Sequence, residues 1–169
     1  MDENLETKID FKDRLTSVLT KHKKKFYFLF LIFILIIISI FALNMYYKKQ
    51  NLIISEKYIT AGLNLNLNNK DKAKFALEEI IESKNKFYSI LALNTILEKE
   101  LESNEDVIIS YFDILQDLSI PPEQKDLLIF KKALYLIQVS KTEEGERLLR
   151  KLSNSDSYLK NISDQILEN

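Results

Sequence analysis

Carboxylates are the most abundant groups in this sequence that could do chemistry. They occur in two dense runs, one at Glu78, Glu79 and Glu82 and the other from Glu98 to Asp106. Two carboxylates held a few ångströms apart in a cleft can act as general acid and base, as in glycoside hydrolysis. Here the acidic residues alternate around helix faces with lysines three or four positions away, which is typical of solvated surfaces. We therefore interpret them as surface residues.

Other reactive or ligand-binding groups are scarce. The chain has no cysteine, which excludes thiol nucleophiles and thiolate metal sites, and its single histidine, His22, is interpreted as a solvated flank residue. Gly62 and Gly145 are the only glycines, whereas loops that hold phosphates need clustered glycine. A net charge of -1 gives no indication of a nucleic-acid partner. We expect no catalytic residue, metal, cofactor or small-molecule substrate, and an enzyme is the least favoured class.

One long apolar run, FYFLFLIFILIIISIFALNMYY from Phe26 to Tyr47, contains no charged residue. As a helix it would extend about 33 Å, enough to cross the hydrocarbon core of a bilayer. A cleaved signal peptide usually has a shorter apolar region and a small-x-small cleavage site, and Ser39 and Ala42 have the wrong spacing for one. The sequence predicts an uncleaved transmembrane signal-anchor over residues 26–47, in contact with lipid. The alternatives are a cleaved signal and a buried core helix.

The flanks of this run differ in positive charge. Cytoplasmic flanks usually carry more Lys and Arg. Seven such residues precede the run and three follow it closely: Lys8, Lys12, Arg14, Lys21, Lys23, Lys24 and Lys25, then Lys48, Lys49 and Lys57. The bias predicts a single-pass protein of the bacterial inner membrane, with a cytoplasmic basic tail at residues 1–25 and residues 50–169 in the periplasm. We expect a short juxtamembrane helix in the tail, whose KHKKK run either binds anionic lipid or only fixes the topology.

The rest of the chain predicts an all-α domain, because glycine and proline are rare and apolar residues recur at helical spacing between short polar breaks. About seven helices are expected, with N-caps at Asp71, Asn104, Thr142 and Asp156 or Ser157. Pro121 and Pro122 are expected to end one helix and start the next.

A repeat of helix pairs is visible in this domain. The first helix of each pair has an aromatic residue followed by small or apolar residues: Tyr58, Ala61, Gly62, Leu65; Tyr88, Leu91, Ala92, Thr95; Phe130, Ala133, Leu134, Ile137. The second helix opens with a small or slim residue and continues apolar: Ala73, Leu77, Ile80, Ile81; Val107, Tyr111, Ile114, Leu115, Leu118; Gly145, Leu148, Leu149, Leu152. The middle unit is longer by about one helical turn.

Stacking explains why such a pattern repeats. A helical hairpin cannot bury its apolar face alone, whereas small residues at the crossing let neighbouring hairpins approach and share a core. The sequence therefore predicts about three stacked pairs over residues 50–169, closed by a capping helix at 157–169 with Tyr158, Leu159, Ile162, Ile166 and Leu167 on its apolar side. An ordinary helical bundle is the alternative.

These features together resemble a known family. A basic tail, one span and then KYITAGLNLNLNNKDKAKFALEEIIESKNKFYSILALNTILEKE are similar to the membrane-anchored tetratricopeptide-like proteins of proteobacteria, which include the ancillary subunit of the SecYEG translocon. Tyr58, Tyr88 and Phe130 stand where the family's tryptophan is usual, and the proline that normally ends a repeat is missing after Ile81 and Leu152. The resemblance implies a tetratricopeptide-like array that binds translocon or chaperone proteins.

Two functions of different class follow from these observations. The first is a membrane-tethered protein-binding module whose first helices form a concave groove. Its candidate partner-binding residues are Ser89, Leu93 and Ile96, for which core or plain surface is the alternative interpretation. The second is a structural tether or assembly factor of the envelope or division machinery that acts mainly through its span.

Overall fold

The computed structural model of the chain describes residues 23–168, apart from the side chains of Lys23 and Phe26. The described residues form seven α-helices and no strand, which confirms the predicted all-α class. The helices are α1 Lys23–Asn66, α2 Lys70–Glu82, α3 Tyr88–Glu98, α4 Glu105–Gln116, α5 Pro122–Gln138, α6 Thr142–Ser153 and α7 Lys160–Leu167. The helix expected in the basic tail and His22 lie outside the described residues. The chain divides into two compact units between Gln50 and Asn51.

Helix α1 is long and apolar enough to cross a membrane. Its most apolar 18-residue window has a mean hydropathy of 2.9 and is 0% buried. A core helix of a soluble protein would be mostly buried, so the core-helix alternative is wrong. The helix continues without a break to Asn66. The apolar run and the first helix of the first predicted pair are therefore parts of one helix.

Helix starts follow the sequence signals in two places. The Asn104 side chain accepts hydrogen bonds from the backbone N–H groups of Asp106 and Val107, as predicted for the N-cap of α4. Pro121 and Pro122 occupy the N-cap and first position of α5, as predicted. The other predicted N-caps are wrong: Asp71 and Thr142 lie inside their helices, and α7 begins after Leu159. The hydroxyl of Ser157, which precedes α7, accepts a hydrogen bond from the Leu159 N–H at 3.2 Å.

Two clusters of buried apolar side chains form the core of residues 51–168. The first core cluster joins the end of α1 to α2, α3, α4 and α5, and includes Ala61, Leu77, Ala92, Phe112 and Leu128. The second core cluster lies between α5 and α6, with α7 packed against it. The closest helix neighbours are α5 with α6, α2 with α3, and α6 with α7.

The predicted pairs differ in how closely they pack. The third pair, α5 and α6, is in close contact because Gly145 leaves no side chain between the helices. The middle pair, α3 and α4, touches only sparsely. The longer connection between α3 and α4 contacts α2 instead, because its Glu102 forms an ion pair with Lys74 of α2 at 2.5 Å. Helix α7 packs on α6 as predicted for a cap, but Tyr158 and Ile162 are exposed and do not belong to the apolar side predicted for them.

Candidate functional site

Grooves lie between successive first helices of the predicted pairs. One groove lies between the end of α1 and α3, with a volume of about 470 Å³. Two further concavities lie between α3 and α5, of about 170 Å³ and about 900 Å³, and both are lined by Asn94 and Lys131. Residues of α1, α3 and α5 line these concavities, and the connection before α4 and the start of α4 contribute to the largest one.

The same three positions of each first helix line these grooves. Counting from Tyr58, Ser89 and Phe130, they are the first, fifth and eighth residues that follow. The residues are Ile59, Leu63 and Asn66 in α1; Ile90, Asn94 and Leu97 in α3; and Lys131, Tyr135 and Gln138 in α5. The third residue after each reference position is Ala61, Ala92 or Ala133, and each of these is 0% exposed. Equivalent positions therefore have equivalent surroundings in all three units.

Of the predicted partner-binding residues, Ile96 contributes to the lining of the larger concavity, whereas Ser89 and Leu93 line none of the three concavities. Ser89, Leu93 and Ile96 are at most 1% exposed, so a partner cannot reach their side chains in this structure. They belong to the core alternative. Each is followed directly by a groove residue, and one residue along an α-helix is a rotation of about 100°.

The shift arises in the middle unit, where the sequence pattern is aligned on Tyr88. The buried positions of α1, α3 and α5 coincide when Ser89, and not Tyr88, is aligned with Tyr58 and Phe130. Ser89 occupies a core position because its hydroxyl donates a hydrogen bond to the Ile80 carbonyl at 2.7 Å. The second helices agree, since the buried sets are Ala73, Leu77, Ile80; Ile108, Phe112, Leu115; and Gly145, Leu149, Leu152. The opener of α4 is thus Ile108 and not Val107.

The smaller concavity between α3 and α5, called here the apolar pocket, is lined mainly by Phe87, Ile90, Leu91, Leu127 and Leu128. The Phe87 ring is 63% exposed, although it contacts the Tyr88 ring edge-on at 5.0 Å between centroids. Among the described residues no acidic side chain lines this pocket, whose polar rim is Lys86, Asn94, Gln124 and Lys131. It can accept an apolar side chain.

The larger concavity, called here the acidic cleft, has an apolar floor that includes Leu97, Ile108, Leu134 and Val139. Its charged lining residues are four glutamates and one lysine: Glu98, Glu100, Glu102, Glu105 and Lys131. Lys131 donates to the Asn94 side-chain oxygen at 2.7 Å where the cleft meets the apolar pocket. The cleft therefore has an excess of negative charge.

The carboxylates are not all plain surface residues. Glu102 is only 9% exposed, and the pKa of its carboxyl lies below the usual value because the Lys74 ammonium and the Asn104 N–H donate to it. Glu78 lies beside Lys74 at 3.8 Å, the helical spacing that the sequence suggested, and it also accepts from the Tyr111 hydroxyl at 2.7 Å. Burial, followed by this acceptor, raises the pKa of Tyr111. This network fastens α2 to α4 and the connection before it.

Glu100 and Glu105 differ from the rest of the acidic lining. Glu98 pairs with Lys99 at 2.7 Å, whereas neither Glu100 nor Glu105 has a salt bridge with another described residue. Within residues 23–168 no group of three or more His, Cys, Asp or Glu side chains is arranged to hold a metal ion. The arrangement offers shape, apolar surface and negative charge.

No family model matches the chain, and no curated protein or solved structure shows significant similarity to it.

Proposed function

We propose that this chain is a membrane-tethered protein-interaction module. The apolar part of α1 stays uncleaved in the bacterial inner membrane with the N-terminus in the cytoplasm, and residues 50–169 form a tetratricopeptide-like array in the periplasm. A polypeptide binds along the groove of the first helices. Its source is the protein-export machinery or a periplasmic chaperone, as the family resemblance implies.

The observation that supports binding is the repetition of the groove. Three first helices present equivalent positions to the concavities, and the alanine at the third position is fully buried in each. Stacked helix pairs with a shared core form extended concave surfaces that suit peptide ligands. The lining combines exposed apolar side chains with glutamates, and contact surfaces need both apolar anchors and a polar rim.

Crosslinking from single positions of the full-length protein in bacterial membranes tests the proposal. A photoreactive amino acid is placed at Leu97 or Gln138, which line the acidic cleft from α3 and α5, and in a matched variant at Ser110, an exposed residue of the second helix α4. We expect crosslinks to translocon or chaperone subunits from Leu97 and Gln138 and none from Ser110. Equal crosslinking from all three positions, or none from the groove, would contradict the proposal.

Orientation is tested separately from binding. A reporter that is active only in the periplasm, fused after Asn169, should be active, and protease added outside the inner membrane should digest residues 50–169. Protection of that segment from the protease would place it in the cytoplasm and exclude a periplasmic partner.

The tether alternative is supported by the exposed apolar surface of α1, which is available to lipid or to another span. Replacing residues 26–47 by an unrelated span, with residues 50–169 kept, separates the two functions. Crosslinking from Leu97 that survives the exchange favours the binding module. Loss of that crosslinking after the exchange favours a role of the span itself.

A further inference from the structure

The groove between α3 and α5 has two chemically different ends. The apolar pocket has no acidic lining residue and carries Lys86 and Lys131 on its rim. The acidic cleft has four glutamates among its lining residues, against Lys131 alone. Charge is therefore separated along one continuous groove, because Asn94 and Lys131 line both concavities.

The negative charge of the cleft is only partly neutralised by the chain itself. Glu102 is held by Lys74 and Glu98 by Lys99. Glu100 and Glu105, both exposed, have no salt bridge with another described residue. Nearby Lys141 is hydrogen-bonded to Asp106 at 2.9 Å, and Lys131 to the neutral Asn94. Two carboxylates thus remain available to a cationic partner.

Helix geometry fixes the distance between the two ends. Ile90 of the apolar pocket and Leu97 of the acidic cleft are seven residues apart on α3. At the rise of an α-helix this separation is about 10 Å. An extended peptide covers it in about three residues, and a helical peptide in about two turns.

We propose that the groove between α3 and α5 selects a polypeptide segment in which an apolar side chain lies about 10–15 Å from one or more Lys or Arg residues. This inference rests on the proposed function and adds the chemistry of the bound segment. The apolar side chain enters the pocket between Phe87 and Leu127, and the basic residues lie against Glu100 and Glu105. The lysines on the rim of the apolar pocket disfavour the opposite direction, because a basic residue placed there meets like charge.

Peptide binding to the full-length protein in phosphatidylcholine nanodiscs tests the inference. The probe is a fluorescent peptide of about twelve residues with two leucines followed, about three residues later, by three lysines. Comparison peptides carry glutamate in place of lysine, or alanine in place of leucine. Empty nanodiscs measure binding to lipid. We expect the lysine peptide to bind more tightly than both others, and its affinity to fall as NaCl rises from about 50 to about 500 mM.

The variants isolate the acidic end. Glu100→Gln with Glu105→Gln should weaken the lysine peptide by about threefold to tenfold and flatten its salt dependence. Glu143→Gln with Glu144→Gln, which removes two exposed glutamates from the first turn of α6, is the matched control and should leave binding unchanged. Phe87→Ala should weaken both the lysine and the glutamate peptide.

Each other outcome refutes a specific claim. Equal binding of the lysine and glutamate peptides, with both weakened by Phe87→Ala, would overturn the charge selection while the binding module stands. Failure of every peptide to bind above the empty nanodiscs would overturn the binding module as well. Equal loss in the Glu100/Glu105 and Glu143/Glu144 double variants would show a general effect of net charge and overturn the role of the acidic cleft.

Discussion

The two glycines of the chain meet opposite packing environments. A Cβ atom added to Gly145 would lie 2.6 Å from Ile137 Cγ1 and 2.7 Å from the Ala133 carbonyl oxygen. A Cβ added to Gly62 would have no neighbour within 4 Å. We expect Gly145→Ala to destabilise the protein by about 1–3 kcal/mol, because α5 and α6 must move apart. Gly62→Ala should stabilise it by about 0.5–1 kcal/mol, because alanine loses less backbone entropy in a helix.

Thermal unfolding of the full-length protein in detergent, followed by circular dichroism, measures both changes. For a domain of this size about 1 kcal/mol corresponds to roughly 4 °C in Tm. Because the two substitutions add the same atoms in helices, their opposite signs would exclude a general effect of the added methyl group. An unchanged Tm for Gly145→Ala would contradict the close approach of α5 and α6.

Glu102 and Lys74 make the stability of the domain depend on pH. The hydrogen bond from Lys74 lowers the pKa of Glu102, and the same bond raises the pKa of Lys74. A carboxyl whose pKa is lower in the folded state contributes stability above its unfolded pKa of about 4.3, and this is lost as the pH falls through the folded value. The raised pKa of Lys74 contributes below about 10.4 and is lost as the pH rises.

We therefore expect the wild-type protein to lose stability more steeply below pH about 4.3 than Glu102→Gln does. Urea unfolding from neutral to acidic pH measures the two slopes. Lys74→Met should reduce the dependence of the unfolding free energy on acidic pH only in part, because the Asn104 N–H still donates to Glu102. Parallel curves for the wild type and Glu102→Gln would show that this carboxyl has the same pKa folded and unfolded.

Four helices end without glycine, although a residue shortly after each helix end adopts a left-handed backbone conformation. Asn68, Lys84, Glu100 and Ser140 have φ values between 49° and 64°, and each follows a helix C-cap. After Ser140, the Lys141 N–H donates to the Leu136 carbonyl at 2.8 Å, which is the long hydrogen bond of a Schellman ending. Left-handed helix endings therefore form in this chain with residues other than glycine, and the scarcity of glycine does not prevent them.

Ser140→Gly tests this helix ending. A residue with a side chain is destabilised by about 1–2 kcal/mol in the left-handed conformation. Glycine avoids this steric cost but loses more backbone entropy on folding, so the net gain is smaller. We expect Ser140→Gly to stabilise the protein by about 0.5–1 kcal/mol. Ser110→Gly, at an exposed position inside α4, is the matched control and should destabilise by about 0.5 kcal/mol. A lower Tm for both variants would contradict the left-handed ending.

The helices themselves could be predicted from the spacing of apolar residues. Which residues of each helix face the core could be predicted only in part. Asn104 was found because its type and position match a first-turn cap, whereas Asp71 has the right chemistry but lies inside α2. In the middle unit the aromatic Tyr88 is the stronger signal, yet the core position belongs to the polar Ser89. A hydrophobic pattern cannot identify a serine whose hydroxyl is satisfied by a carbonyl of the preceding helix. The sequence pattern was therefore aligned one residue early in the middle unit, and Ser89, Leu93 and Ile96 are core residues.

The two core clusters suggest how stability is distributed over residues 51–168. In stacked helix pairs each unit contacts only its neighbours, so stability is approximately a sum of local and nearest-neighbour contributions. The second core cluster contains α5 and α6 and is covered by α7 alone on its outer side. The first core cluster joins parts of five helices, and Leu128 is its buried residue from α5. We expect the C-terminal helices to open at a lower free energy than α2 and α3 do.

Hydrogen exchange of two matched variants tests this distribution. Leu77 of the first core cluster and Leu149 of the second are both fully buried, and either leucine changed to alanine should cost about 2–5 kcal/mol. If the clusters are partly independent, Leu149→Ala should speed amide exchange in α5 to α7 and leave the slowest amides of α2 and α3 protected. Leu77→Ala should speed exchange throughout, because α4 and α5 pack on the cluster that it weakens. Uniform acceleration by both variants would instead mean that residues 51–168 unfold as one cooperative unit, with the groove between α3 and α5 as rigid as the core beneath it.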